Sequence, residues 1–456
     1  MTNSQERPAQ TSDPFAISDE QFRSICSDAD TLLRELFPVP RSITGDGVRA
    51  TLSRLQRVTS FSVGEIPSGT VCYDWTVPDE WHVRSAFIRD LQGNTIVDFA
   101  DNNVHLVGYS VPTDRIMSFD ELKPHLHTIP EMPDAIPYRT SYYAKDWGFC
   151  LSHSEFQRMD RSGRYHVRID ADLQPGSLTY GESLLPGEST REILISTYCC
   201  HPSLANDNLS GIILWTLLLR YLKQIPLRHS YRFVIVPETI GAIAYLAANA
   251  EAMKLIRCGF VVTTVGGPGS FGYKKTFLGT HELDLLVELA FREQELEFVS
   301  YPFSVNGSDE RQYSSPYFRI PVGTICKDKY YEYKEYHTSL DNLDFISAEN
   351  LCRTLRLYLR AIGNLERNLT FRSLHPWCEP MLGKRGLIAN SGGAFLPERL
   401  GGQRTREIIG WLLFHADGKT PLLEISRQTK IPLNDLYDVA LALQKGKLLQ
   451  RIEESP

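Results

Sequence analysis

Residues 193–222 read ILISTYCCHPSLANDNLSGIILWTLLLRYL, and three textures meet inside that stretch. Ile193-Leu194-Ile195-Ser196-Thr197-Tyr198 is an unbroken run of strand length, the pattern of a strand covered on both faces. Leu209 to Leu222 is an apolar helix. Between them lies a tight polar loop in which an imidazole, His201, and a carboxylate, Asp207, stand six positions apart. The alternation continues downstream with strands at Arg232–Val236, Gly259–Val265, Phe298–Val305 and Val322–Cys326. Helices fall between and after them at Ala242–Ile256, Glu282–Gln294 and Ser347–Asn364. This rhythm predicts an α/β fold, a mostly parallel sheet flanked by helices on both faces.

The remaining sequence surrounds that core with other material. The chain has 456 residues, enough for two to four domains, and a formal net charge of −7 with no Lys/Arg block. Nucleic acid and anionic membrane are therefore not expected partners. Residues 1–17 are polar and read as a disordered tail. Ser18 is placed to cap a helix that ends at Phe37-Pro38-Val39-Pro40, and the turn Arg41-Ser42-Ile43-Thr44-Gly45 follows. Residues 71–145 change to short strand-like runs with turns, an inserted small antiparallel β domain that splits the core into 18–70 and 146–375. Residues 376–456 carry three helical segments and a closing strand, Leu448–Ile452, which is a winged-helix pattern. From 401 onward eight Lys/Arg face seven Asp/Glu. That balance favours a structural, dimer-forming or substrate-walling role over DNA reading.

Nine cysteines are scattered without a C-x-x-C pair. Neither a disulfide framework nor a thiolate zinc site is indicated, and the expected compartment is the reducing cytoplasm. The N-terminus has no secretory pattern, and no apolar run is long enough to span a bilayer. Accessory modules around a core often assemble symmetrically, so a homo-oligomer is among the expectations.

Ligands of open α/β sheets bind outside the carboxyl ends of the strands, and three polar constellations fall there. The first is Cys200-His201-Pro202-Ser203-Leu204-Ala205-Asn206-Asp207-Asn208-Leu209-Ser210-Gly211, with ligand types that zinc accepts; helix capping by Asp207 or Asn208 is its plain alternative. The second is Val236-Pro237-Glu238-Thr239-Ile240-Gly241, where Glu238 either caps the next helix or acts as a general base. The third is split between Ser308-Asp309-Glu310-Arg311-Gln312-Tyr313 and Glu335-Tyr336-His337-Thr338-Ser339-Leu340-Asp341-Asn342. Gly266-Gly267-Pro268-Gly269 lacks dinucleotide-loop spacing and reads as a turn. Cys199 and Cys200 read as small buried residues.

In order along the chain, His201 with Ala205-Asn206-Asp207-Asn208-Leu209-Ser210-Gly211, Glu238-x-x-Gly241, Ser308-Asp309 and Tyr336-His337-Thr338 resemble the metal-site motifs of the co-catalytic zinc aminopeptidases. That superfamily also contains single-zinc glutaminyl cyclases. The whole chain resembles an aminopeptidase-like bacterial subgroup with an inserted β domain and a C-terminal winged helix. The resemblance implies His201, Asp309 and His337 as terminal metal ligands, Asp207 as a bridging carboxylate and Glu238 as general base. Thr239 stands where the two-metal enzymes place a second glutamate. One zinc is therefore expected, held by His201, Asp207 and His337, with Asp309 a fourth ligand or a partner behind the ligands.

The implied reaction is hydrolysis of a peptide or amide bond in a small substrate, with water activated on zinc and Glu238 moving the proton. Arg311 would anchor a substrate carboxylate. Tyr331 and Tyr336 would line the substrate, although packing of this tyrosine run on the sheet is an equal alternative. Acyl transfer or cyclisation at the same zinc, and a non-catalytic binding protein working through its winged helix, are the competing functions.

Overall fold

An apolar strand needs cover on both faces, and the computed structural model, which describes residues 13–142, 144–385 and 402–452, supplies it. The chain divides into two units, one of residues 1–284 and 295–358, the other of 285–294 and 359–456.

The first unit is built on an eight-stranded mixed sheet. Its strands run in the order Ser62–Pro67, Ser177–Leu185, His229–Val236, Ser189–Tyr198, Ile256–Val261, Val322–Lys327, Phe271–Lys274 and Phe298–Tyr301. The four strands from His229–Val236 to Val322–Lys327 are mutually parallel. Antiparallel pairings flank them on both sides, so the expected parallel character holds at the centre and gives way toward the edges. Phe271–Lys274 was not anticipated; it follows the Gly-rich turn.

Ile193, Leu194 and Ile195 are all fully buried, as two covered faces require. On one side Trp215 of the helix Gly211–Leu222 donates its indole N–H to the Ile195 carbonyl at 3.0 Å and packs edge-on against Phe61 and Phe233. On the other, Ala242, Tyr245 and Leu246 of the helix Ile240–Ala248 cluster with Leu194, Val234 and Val236. Gly211 lets that first helix start against the sheet, because a Cβ there would lie 2.6 Å from the Val262 carbonyl oxygen.

The N-terminal helix Asp19–Leu36 opens with a reciprocal capping box between Ser18 and Gln21. Residues 13–17, expected within the tail, are placed against the core. Phe15 is buried and the Tyr221 hydroxyl donates to the Pro14 carbonyl, so packing begins before the cap; residues 1–12 lie outside the described residues.

The smaller antiparallel sheet has the order Thr95–Asp98, Glu80–Asp90, Arg164–Gln174, Thr113–Ser118. The stretch Arg164–Ile169, inside the 146–375 expected for the core, is part of the strand Arg164–Gln174, which lies between Glu80–Asp90 and Thr113–Ser118, bonded to both. The alternation that buries Tyr165, Val167, Ile169 and Ala171 serves this sheet, so the inserted module reaches Gln174. The turn at Arg41–Gly45 meets it directly: the Trp81 N–H donates to Thr44 Oγ1, and Gly45 sits at φ +98° with its Cα facing the Trp81 carbonyl.

In the second unit the helices Gly402–His415, Leu422–Thr429 and Leu433–Lys445 accompany a three-stranded sheet, Asp417–Pro421, Thr370–Ser373, Leu449–Arg451. Its central strand precedes the expected boundary at 376, because Thr370–Ser373 pairs with both wing strands. Among the described residues no helix is long and apolar enough to cross a membrane.

The fully buried indole of Trp215 fastens the central strand to its helix. Trp215→Ala is expected to destabilise the protein by about 3–5 kcal/mol, read as a lower denaturation midpoint with an unchanged slope.

Candidate metal centre

The parallel strands deliver the polar loops to one edge. His201 follows Ser189–Tyr198, Glu238 follows His229–Val236, and His337 lies in the loop after Val322–Lys327. His201 Nε2 stands 3.8 Å from Asp207 Oδ2 and 4.0 Å from Glu238 Oε2, and His337 Nε2 stands 2.9 Å from Asp207 Oδ2. The ligand atoms of His201, Asp207 and His337 all lie within 4.8 Å of one another.

Each of these side chains is held from behind. The Asp207 carboxylate is fully buried, and its Oδ1 accepts from the Tyr198 hydroxyl at 2.5 Å; that hydroxyl also meets Thr263 Oγ1 at 2.7 Å. Asp341 accepts the backbone N–H groups of Asn206 at 2.6 Å and Asp207 at 3.0 Å, together with the Tyr333 hydroxyl at 2.9 Å. Cys200 is buried as expected, and its sulfur has work there: it accepts from the Glu238 N–H at 3.3 Å and lies 3.4 Å from His201 Nδ1.

Arg41, only 3% exposed, forks onto backbone oxygens, with Nε on His201 and Nη2 on Pro202 at 3.0 Å each and Nη1 on Leu36 at 2.6 Å. The sequence marks Arg41 only as part of a turn, and Asp341 only as the acid four residues after His337.

Asp309 takes a different place. It is not among the three clustered ligands, and its Oδ1 accepts the Thr239 N–H at 2.8 Å. Thr239 has φ +64° and ψ −81°, a strained conformation for a β-branched residue. His337 is also left-handed, at φ +54°. Strain of this kind, of order 1–3 kcal/mol per residue, persists where surrounding structure imposes it and gathers at working sites.

Arg311 is exposed and donates to the Val305 carbonyl at 3.3 Å. Tyr336 stacks flat on His337 with centroids 4.0 Å apart, and the exposed Tyr331 meets Tyr336 edge-on at 5.0 Å. Tyr330 and Tyr333 turn their hydroxyls to Glu310 and Asp341, the packing alternative for that run.

One residue at the site carries no sequence signal at all. Tyr138, from the inserted module, sets its ring 5.2 Å from that of His201 and 5.1 Å from that of His337.

The electrostatics suit a cation. Burial pushes the His201 imidazole down to about 4, leaving it neutral with a free lone pair at neutral pH. Burial would raise the Asp207 carboxyl, but His201, His337 and the Tyr198 hydroxyl bring it down to about 2, so it is ionised. Glu238 is pushed well above the carboxylate range by burial and by Asp309 and Asp207. Asp207 Oδ2, His337 Nε2 and Asp309 Oδ2 are buried without a hydrogen-bond partner. Unsatisfied buried groups are rare, and an ion is one of the standard reasons for them. Two imidazoles with an ionised carboxylate form a donor set that fits zinc.

A family model described as a domain of unknown function (DUF4910) matches residues 30–368, and one for a winged helix-turn-helix matches residues 369–451. The chain belongs to the first of these families. A Clostridium acetobutylicum protein named for polysaccharide biosynthesis and an aminopeptidase-like domain is 42% identical over 422 residues, 92% of this chain and 95% of that protein. The crystal structure of a protein from the same organism, titled as a peptidase of unproven status, superimposes with a TM-score of 0.87 at 39% identity, over 95% of this chain and 99% of the other. A zinc aminopeptidase from Bacillus subtilis has a TM-score of 0.55 at 14% identity, over 75% of this chain and 95% of its own, a likeness of fold. The fold is aminopeptidase-like.

Two substitutions separate holding a metal from holding the fold. Asp207→Ala is expected to abolish zinc uptake, measured by elemental analysis, with the far-ultraviolet circular dichroism of the wild type. Asp341→Asn sets an amide N–H₂ among backbone donors and is expected to weaken zinc about 10- to 100-fold, the usual cost of disturbing a ligand's supporting partner.

Proposed function

From this fold and this cluster we propose a zinc-dependent hydrolase that cleaves a peptide or amide bond in a small substrate. The observation that carries the reading is the convergence of His201, Asp207 and His337 within 4.8 Å, with the Glu238 carboxylate 4.0 Å from His201. His201, Asp207 and His337 would hold one zinc. Bound there, zinc supplies Lewis acidity toward a carbonyl and toward water.

Glu238 is the group placed to take a proton from water and return it to the leaving nitrogen. Its raised pKa, from burial and from Asp309 and Asp207, suits a side chain that must keep that proton for part of the cycle. Asp309 ties Oδ1 to the Thr239 backbone and keeps Oδ2 buried without a partner beside Glu238, which suits either a fourth ligand or a carboxylate behind the ligands. Thr239 brings no second glutamate to the edge, which supports one zinc over two. Tyr336 and Tyr331 form an aromatic side to the site, while the bond from Arg311 to the Val305 carbonyl leaves Arg311 a peripheral role in binding.

The relative named for polysaccharide biosynthesis makes an N-acetylated amino sugar a rational member of a substrate panel beside aminoacyl amides and dipeptides.

Glu238→Gln keeps the shape of the side chain and removes its basicity. In wild-type protein carrying zinc, hydrolysis of at least one panel member is expected; in Glu238→Gln the rate should fall about 10²- to 10⁴-fold at unchanged zinc content. Wild-type protein without stoichiometric zinc, or a Glu238→Gln variant of full activity, would count against this reading.

A further inference from the structure

The inserted β module contributes a side chain to the metal centre of the core, and the contact is built rather than incidental. The segment Ile136–Tyr138 lies alongside Thr338 and Ser339 as a short antiparallel ladder. The Tyr138 N–H donates to the His337 carbonyl at 2.8 Å, the Ser339 N–H to the Ile136 carbonyl at 2.8 Å, and the Ile136 N–H to Ser339 Oγ at 3.0 Å. Pro137 and Thr338 complete the ladder. The same backbone that carries His337 therefore sets the position of Tyr138.

The ring that results bridges both imidazoles. It lies edge-on to His337 at an interplanar angle of 88° and tilted on His201 at 53°. A buried tyrosine normally spends its hydroxyl on a partner, whereas Tyr138 is only half-buried. The Tyr198, Tyr330 and Tyr333 hydroxyls are spent in that way, on Asp207, Glu310 and Asp341. Among the described residues the Tyr138 hydroxyl makes no hydrogen bond, and Glu238 and Asp207 are among the groups whose charge it feels. A neutral phenol is a hydrogen-bond donor.

The geometry points to Tyr138 as the residue by which the inserted module completes the site: its hydroxyl donates a hydrogen bond to an anionic oxygen of the ligand held between His201, Asp207 and His337. The ligand class is an oxyanion, such as that of a hydroxamate or of the tetrahedral form of an amide. This inference rests on the zinc-site reading above and deepens it. The donor comes from outside the α/β core, so a chain with the core alone would lack it.

The test is binding of acetohydroxamate to the full-length, zinc-loaded protein, followed by calorimetry, with zinc content and melting midpoint measured on the same samples. Tyr138→Phe keeps the ring against both histidines and removes only the hydroxyl; Tyr138→Leu removes the ring as well. Loss of one hydrogen bond to a charged oxygen predicts about 10- to 100-fold weaker acetohydroxamate binding in Tyr138→Phe, with zinc content and midpoint as in the wild type. Equal affinity in wild type and Tyr138→Phe overturns the proposal, and a loss confined to Tyr138→Leu does so too, because it assigns the effect to ring packing. Wild-type zinc protein that takes up no acetohydroxamate also overturns it while leaving the zinc centre standing. A wild type that retains no zinc removes the centre itself, and that failure is read separately in the metal analysis.

Discussion

A carboxylate removed from water has to be answered by donors or by positive charge, and the fully buried Asp207 is the point at which this protein meets that demand. Its Oδ1 has the Tyr198 hydroxyl, while its Oδ2 faces two imidazoles and has no hydrogen bond. The loop that bears it is held by a second buried carboxylate, Asp341, whose acceptors satisfy the N–H groups of Asn206 and Asp207. Remove that reciprocal arrangement and two backbone donors and one charge lie exposed to a medium that cannot solvate them. The helix Gly211–Leu222 begins directly after this loop, so the same bonds decide where the helix meets the sheet.

Around that point the fold distributes tasks by element. Parallel strands carry His201 and Glu238 to a common edge. Arg41 fixes the His201 backbone through carbonyl oxygens, and no carboxylate lies among the partners of its fork. A guanidinium suits this place because its planar array of donors meets several fixed acceptors at once, which an ammonium on a flexible stem does not. Cys200 acts in the same spirit, a sulfur between the Glu238 N–H and His201. These contacts hold the backbone of His201 and Glu238 from behind the cluster.

The clustered ligands all belong to the first unit. The three helices and three-stranded sheet of the second unit form the winged arrangement that the helical spacing predicts. The strand Thr370–Ser373 was missed as part of it because a four-residue strand carries too short a pattern to be assigned without its partners. Arg164–Gln174 was misassigned for a related reason. Its alternation announced a half-buried strand, but alternation says nothing about which sheet receives it.

What the sequence determined by itself is the set of things that local pattern and order encode. Unbroken apolar runs can only be strands or helices covered on both sides, so the α/β core was legible from residues 193–222 outward. His201, Asp207 and Glu238 stand out as polar groups directly after buried strands, while His337 and the roles of all four follow from the resemblance to the zinc aminopeptidase motifs. Tertiary structure alone decided the rest: that Asp309 turns to the Thr239 backbone, that Asp341 and Arg41 hold the loops, and that Tyr138 arrives from an inserted module. Those residues act through partners roughly 70 to 200 positions away, or from a segment whose sequence is ordinary. A distance of that kind has no period and no motif; it exists only once the chain has folded.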